Sequence, residues 1–317
     1  MSRRGVLALF AVFALCAACR RAPAPLPAGG EIRFAEGQHF AVTSDLQRDT
    51  AWEQGSRPTE DNDVARRLII EEIVKLGPGF VAITGDLVGD GSSARHWADF
   101  DDLVRPLKEA KVPVIAAIGN HEYWQAGSKN LDQFFARFPT LAGRHWYSIA
   151  YGPVSVVVLD SNQDVLTASE WQNEKTWFER TLGALDGDAR VRGVIVIMHH
   201  PPYTNSTLTG DETHVQQAFV PPFERSKKTM AMIGGHVHSY ERFDRGGMTF
   251  IVSGGGGIPR APLLEGDKQR HAGDLFRGPP VRGYHFLALT VGPAGIDVQV
   301  ISVAPRSVMD AFTLGWP

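Results

Sequence analysis

The sequence predicts a mixed α/β fold in which two packed, mixed β-sheets are flanked by helices, and two observations predict it. Through most of the chain, short β-branched runs alternate with segments of helical period, the pattern of strands joined by helical crossovers. Toward the C-terminus two apolar runs adjoin across a Gly-Pro turn, the pattern of a hairpin.

The strands read in order as residues 39–43, 80–84, 112–118, 154–159, 194–198, 230–233 and 249–252, with the hairpin at 286–291 and 296–303. Between the early strands lie helices. Val64, Leu68, Ile73 and Leu76 share a face and end at Gly77-Pro78, a stop signal. Leu131, Phe134, Phe135 and Phe138 follow i, i+3, i+4, i+7 spacing, and Trp171, Phe178 and Leu182 follow a cap at Ser169. These aromatic stripes read as helix core.

At 317 residues with 43% apolar content, the chain is long enough to bury a large core. There is no internal repeat and no second linker, so residues 31–317 read as one domain. Residues 1–18 read as a signal peptide: Arg3 and Arg4 precede an apolar run, 6–15, too short to span a bilayer. Ala17-Ala18 before Cys19 resembles a bacterial lipoprotein signal. Cys19 is then the expected lipid anchor to a bacterial membrane, and cleavage near Ala18 with release of a soluble protein is the alternative. Ser2-Arg3-Arg4-Gly5-Val6-Leu7 also resembles a twin-arginine signal, so the export route stays open. Residues 19–30, rich in Pro and Ala, read as a tether. The expected location is the cell envelope.

Both cysteines, Cys16 and Cys19, fall in this leading segment, so metal ligands in the folded part must be nitrogen or oxygen. Residues 1–18 carry two arginines and no acid, so their removal makes the net charge two units more negative than the chain's −3. With no basic block downstream, nucleic acid is not the favoured partner.

Residues able to bind a hard or borderline metal stand just after successive strands. Asp45 and Gln47 follow the first, Asp86 the second, Asn120-His121 the third, His199-His200 the run ending at Met198, and His236 and His238 the next. Each has an ordinary structural reading as cap, turn or backbone partner. Five groups with one placement point to a shared pocket beyond the carboxyl ends of the strands.

Ser44-Asp45-Leu46-Gln47, Gly85-Asp86, Gly119-Asn120-His121-Glu122, Val196-Ile197-Met198-His199 and Gly235-His236-Val237-His238 resemble, in order, the five sequence blocks of the calcineurin-like metallophosphoesterases. His238 to Arg242 and the glycine-rich 253–257 resemble the purple acid phosphatase branch. The resemblance implies the α/β/β/α sandwich of that superfamily and two divalent or trivalent metal ions (Fe, Mn or Zn) bridged by Asp86. Asp45 and His238, with Gln47, would hold one ion, and Asn120, His199 and His236 the other. A metal-activated hydroxide would attack a phosphate ester. Asn120, His121 and His200 would contact the substrate, with His121 protonating the leaving oxygen.

Successive extended residues point to opposite sides, so one of His199 and His200 should face the metals. The block match selects His199 and leaves His200 in the pocket wall. Gln47 stands where His is commonest, so it ligates either directly or through water. Gly89 stands where the purple enzymes carry their tyrosine, so a purple chromophore is not expected. The run 254–257 lacks the lysine of a phosphate-binding loop and reads as a tight turn. Asp160-Ser161 reads as loop support. Segments 203–220 and 258–283 read as pocket walls, with His214, His271, Arg260 and Arg282 as candidate contacts.

The expected function is an exported, acid-phosphatase-like phosphomonoesterase. Phosphodiesterase or nuclease action on the same centre is the alternative, as is a non-catalytic envelope module, which loss of Asp86, Asn120 or His121 would mark.

Overall fold

A computed structural model describes residues 32–48, 62–125 and 131–317. The predicted signal peptide, Cys19 and the tether lie outside the described residues.

Two six-stranded sheets form the body of the molecule. The first runs in the order β12 (Arg306–Gly315), β11 (Gly295–Val303), β10 (His285–Val291), β1 (His39–Thr43), β2 (Val81–Ile83), β3 (Val114–Ala116). Here β1, β2 and β3 are parallel, and β10, β11 and β12 add antiparallel. The second runs β4 (Tyr147–Tyr151), β5 (Val154–Val158), β6 (Gly193–Ile197), β7 (Thr229–Gly234), β9 (Met248–Ser253), β8 (Tyr240–Arg245). Its four central strands are parallel, with antiparallel β4 and β8 at the edges.

The strand sequences are apolar on both faces because both faces are covered. Alternate residues of the second sheet separate cleanly. Val156, Val158, Ile195, Ile197 and Ile233 join the large core shared with Phe40, Phe80 and Leu287 of the first sheet. Val157, Val194, Val196 and Met232 face the opposite way, onto Phe178 and Leu182 of α6 (Ala168–Gly187) and Phe219 and Phe223 of α7 (Thr213–Arg225). On the first sheet, α1 (Asn62–Leu76), α2 (Ala94–Leu103) and α3 (Arg105–Glu109) contribute Ile69, Ile73, Phe100 and Leu107 to the core. Short helices α4 (Asn120–Tyr123) and α5 (Asp132–Arg137) follow β3. The result is the predicted α/β/β/α arrangement.

Several local expectations are corrected. The buried face of α1 is Asn62, Ala65, Arg66, Ile69, Ile70 and Ile73, and Val64 is 54% exposed. Arg66 interrupts this stripe in sequence, yet its guanidinium is buried, donating to the Leu46 carbonyl at 3.1 Å and pairing with Asp63 and Asp99. The cap of α6 is Thr167, which accepts from Glu170 N while Glu170 returns a bond to Thr167 N, a capping box in place of a Ser169 cap. The second half of the predicted 203–220 wall is α7, whose buried Val215, Ala218, Phe219, Pro222 and Phe223 have helical spacing. Pro221 and Pro222 inside it hid that period. Strands β4, β8 and β12 were not read from the sequence. Each is an edge strand mixing polar with apolar residues.

Candidate metal centre

The chain leaves β1, β2 and β7 through sharp reversals that aim side chains back across the strand ends. Asp45, Asp86, His236 and His238 have φ of 55°, 52°, 67° and 52°, four of the seven positive-φ residues other than glycine among the described residues. That conformation costs about 1–2 kcal/mol per residue, and such strain concentrates at functional sites. Glycines let the loops close on one another: a Cβ on Gly119 would lie 2.1 Å from Asp86 Oδ1, and one on Gly85 2.6 Å from His199 Nδ1.

Asp86 is the hub. Its Oδ1 accepts from His121 N at 3.0 Å, and its Oδ2 lies 3.2 Å from His199 Nε2 and 3.9 Å from His121 Nε2 and accepts from Gln47 Nε2 at 3.4 Å. His199 Nε2 is 3.0 Å from Asn120 Oδ1 and 3.2 Å from His236 Nδ1. Asp45 accepts from His236 N at 3.0 Å and lies 3.8 Å from His238 Nε2. Ligand atoms of Asp45, Asp86 and His199 fall within 4.8 Å of one another, as do those of His199, His200 and His236. The structure therefore brings all the predicted ligand residues into one pocket.

These residues fit a pair of metal ions. Carbonyl oxygens can only accept, so the bonds from His199 Nδ1 to Thr84 O (3.0 Å) and from His238 Nδ1 to Pro259 O (3.1 Å) place the proton on Nδ1. Both rings then turn an Nε2 lone pair toward the cluster, as metal-binding histidines do. The 3.0–3.2 Å spacings around His199 Nε2 match ligands about 2.0–2.2 Å from a common ion, whose edges are about 3–3.5 Å. Gln47 Oε1 is buried with no hydrogen-bond partner among the described residues, an acceptor suited to a cation or donor.

The electrostatics agree. Burial opposes ionisation of Asp86, but the positive charges of His199 and His121 override it and hold the carboxyl well below its usual range. Burial likewise disfavours a charged His199, yet Asp86 pushes it up to about 9. Asp45 is raised to about 7 by burial, with the Asp86 charge adding to it against His199. Burial, then the His199 charge, takes His236 down to about 3, and burial holds His200 well below its ordinary value. Without metal, the site thus holds an Asp86 anion and a His199 cation, and an incoming metal must displace the His199 proton. Apparent affinity for Zn²⁺ or Mn²⁺ is expected to rise about tenfold per pH unit from pH 7 to about 9 and then level off. Competition titrations across that range check this; a flat profile overturns it.

His200 also reaches the pocket, because strand alternation ends with β6 at Ile197. Its Nδ1 is 2.9 Å from Ser161 Oγ and its ring 4.4 Å from that of His236. His121 donates through Nδ1 to Gly89 O at 2.9 Å, which turns Nε2 toward Asp86. Tyr123 and Tyr240 bond Asp160 and Asp310 through their hydroxyls. Of the wall residues, His214 lies near, bonded to the Ser161 carbonyl. His271 is tied to Asp211 and Arg245, Arg282 is buried against Asp274, and Arg260 lies over Tyr284. Gly254 packs against His238 N and the Asp45 carboxylate, as a turn does.

Sequence reasoning missed Glu122. Fully buried, it accepts from Asp86 N, Leu87 N, Val88 N and Gly119 N at 2.7–3.1 Å, lashing the β2 loop to the β3 loop. Burial, then the Asp86 charge, raises its carboxyl to about 7. The available signal was a glutamate three residues after Gly119 at a helix start. Ser161, which bonds His200 through its hydroxyl, was read only as loop support.

Residues 38–240 match a family model described as calcineurin-like phosphoesterase. Among characterised proteins, the chain is 26% identical over 192 residues to the probable purple acid phosphatase 20 of Arabidopsis thaliana, covering 56% of this chain and 43% of that one. It is 27% identical over 175 residues to purple acid phosphatase 1 of Ipomoea batatas, covering 50% and 36%. A probable cyclic nucleotide phosphodiesterase of Rhodopseudomonas palustris is 24% identical over 168 residues, covering 50% and 56%. The matches thus span about two-fifths of the plant proteins. Among solved structures, a purple acid phosphatase from yellow lupin seeds superposes with a TM-score of 0.67 at 19% identity, over 89% of this chain and 55% of that one. A dimetal phosphatase from Danio rerio superposes at 0.56 and 15%, over 89% and 100%. These likenesses establish the shared fold.

Proposed function

Because the chain belongs to the calcineurin-like phosphoesterase family, we propose that it hydrolyses phosphate esters with two bound metal ions, favouring monoesters. The observation that carries the reading is the convergence on Asp86 of Gln47 and His199, with Asp45 clustered beside them and Asn120 and His236 on His199 Nε2; in this reading Asp45, Gln47 and His238 hold one ion and Asn120, His199 and His236 the other. Two metal ions there would supply positive charge against the phosphoryl oxygens and a water acidic enough to act at neutral pH. Asn120 and His200 orient the phosphate from the pocket wall. His121 presents Nε2 to the leaving oxygen, its ring fixed by the bond from Nδ1 to Gly89 O. Asp86, Asn120 and His121 are all present, which favours catalysis over a non-catalytic module.

The monoester preference draws support from the purple acid phosphatase relatives, and the phosphodiesterase relative supports diester hydrolysis as the second reading. Action in the cell envelope, with Cys19 as lipid anchor, rests on residues 1–19 alone. The test is metal analysis of protein purified without added metal, followed by a panel of phosphomonoesters and diesters. Two metals per chain and a higher kcat/KM on monoesters are expected. A two-metal protein inert to both classes would overturn the reading.

A further inference from the structure

Trp124 follows α4 directly and is 50% exposed, whereas Trp97 and Trp171 are 1% and 9% exposed within the core. A half-wet indole forgoes much of the burial that holds such a side chain in place. Its position is fixed nonetheless: its backbone N donates to the His121 carbonyl at 3.2 Å, and its ring meets the His121 ring edge-on, centroids 4.7 Å apart at 61°. The same imidazole carries Nε2, 3.9 Å from Asp86. The indole thus stands one ring away from the group assigned to the leaving oxygen, close enough for a substituent on that oxygen to meet it.

We propose that Trp124 is a stacking platform for the leaving group, so that the favoured substrates carry a planar aromatic group, a nucleobase or an aryl ring, close to the ester oxygen. The proposal rests on the phosphoesterase reading and deepens it. An exposed aromatic face stacks on any planar ring, whereas a sugar or alkyl chain gains less from it. Charge does not compete with this contact, since the indole bears none.

The test uses two pairs of esters with matched alkoxide leaving groups, adenosine 5′-monophosphate with ribose 5-phosphate and benzyl phosphate with cyclohexylmethyl phosphate. For each, kcat/KM is measured on the metal-loaded protein and binding by equilibrium dialysis. The unmodified chain is expected to favour the aromatic member. Trp124→Ala should reduce that preference roughly 5- to 100-fold, the strength of stacking on one aromatic side chain, mainly through KM. Trp124→Phe should keep most of it. A preference confined to the first pair identifies a nucleobase, and one shared by both pairs any planar ring. If Trp124 merely packed on His121, its loss would slow both members of a pair alike; an unchanged ratio, or no aromatic preference at the outset, overturns the proposal. Failure to hydrolyse any ester would instead defeat the phosphoesterase reading, and the dialysis ratio would still decide the role of Trp124.

Discussion

Replacing Asp86 with asparagine is expected to strip the protein of most bound metal and nearly all hydrolysis while leaving it folded. The substitution keeps the shape and an oxygen for the His121 N–H, and asparagine tolerates the left-handed backbone that Asp86 adopts at φ 52°. What it removes is the charge. The carboxylate touches members of both donor sets, Gln47 and His199, and its pairing with His199 keeps that imidazole protonated until metal arrives. Loss of a group that merely orients a ligand weakens metal binding about 10–100-fold, so loss of the bridging charge should exceed that. Metal content after dialysis, hydrolysis rate and far-ultraviolet circular dichroism check the three parts. Full occupancy with normal turnover would remove Asp86 from the centre.

His121→Ala should retain both metals yet lose about 10²–10⁴-fold in rate, the range for general acid catalysis. Metal retention follows from the geometry, because the main-chain N–H that holds Asp86 Oδ1 survives in alanine. The loss should be greatest for alkyl phosphates, whose alkoxide must be protonated as it departs, and least for nitrophenyl esters, which leave as stable anions. An equal loss for both ester types would mean that His121 positions the phosphate without donating a proton. Loss of metal would make it a ligand.

Much of this was legible in the sequence for a topological reason. Parallel strands buried on both faces read as continuous apolar runs, and the residues just past their carboxyl ends must meet, so Asp45, Asp86, Asn120, His199 and His236 could be brought together without knowing the strand order. Where the sequence misled, a polar residue did an apolar residue's work or the reverse. Arg66 is buried in the face of α1 because carboxylates and a carbonyl surround its guanidinium, and no helical period in hydropathy reports that. Glu122 was given no role because its four partners are backbone groups of two loops, invisible in composition.

The backward-turning residues at the strand ends also bear on how this protein can be improved. At Asp45, Asp86, His236 and His238 the backbone holds a shape that glycine would hold more cheaply. The fold without ions is therefore under tension where its chemistry lies, and ions that bind the native state alone offset that tension by mass action. A library screened for heat resistance in the presence of chelator would be rewarded for relaxing these four positions, and its winners would be robust scaffolds stripped of most of the donors proposed to hold metal. Screening with metal present reverses the reward, because the same four residues then become the most stabilising ones to keep.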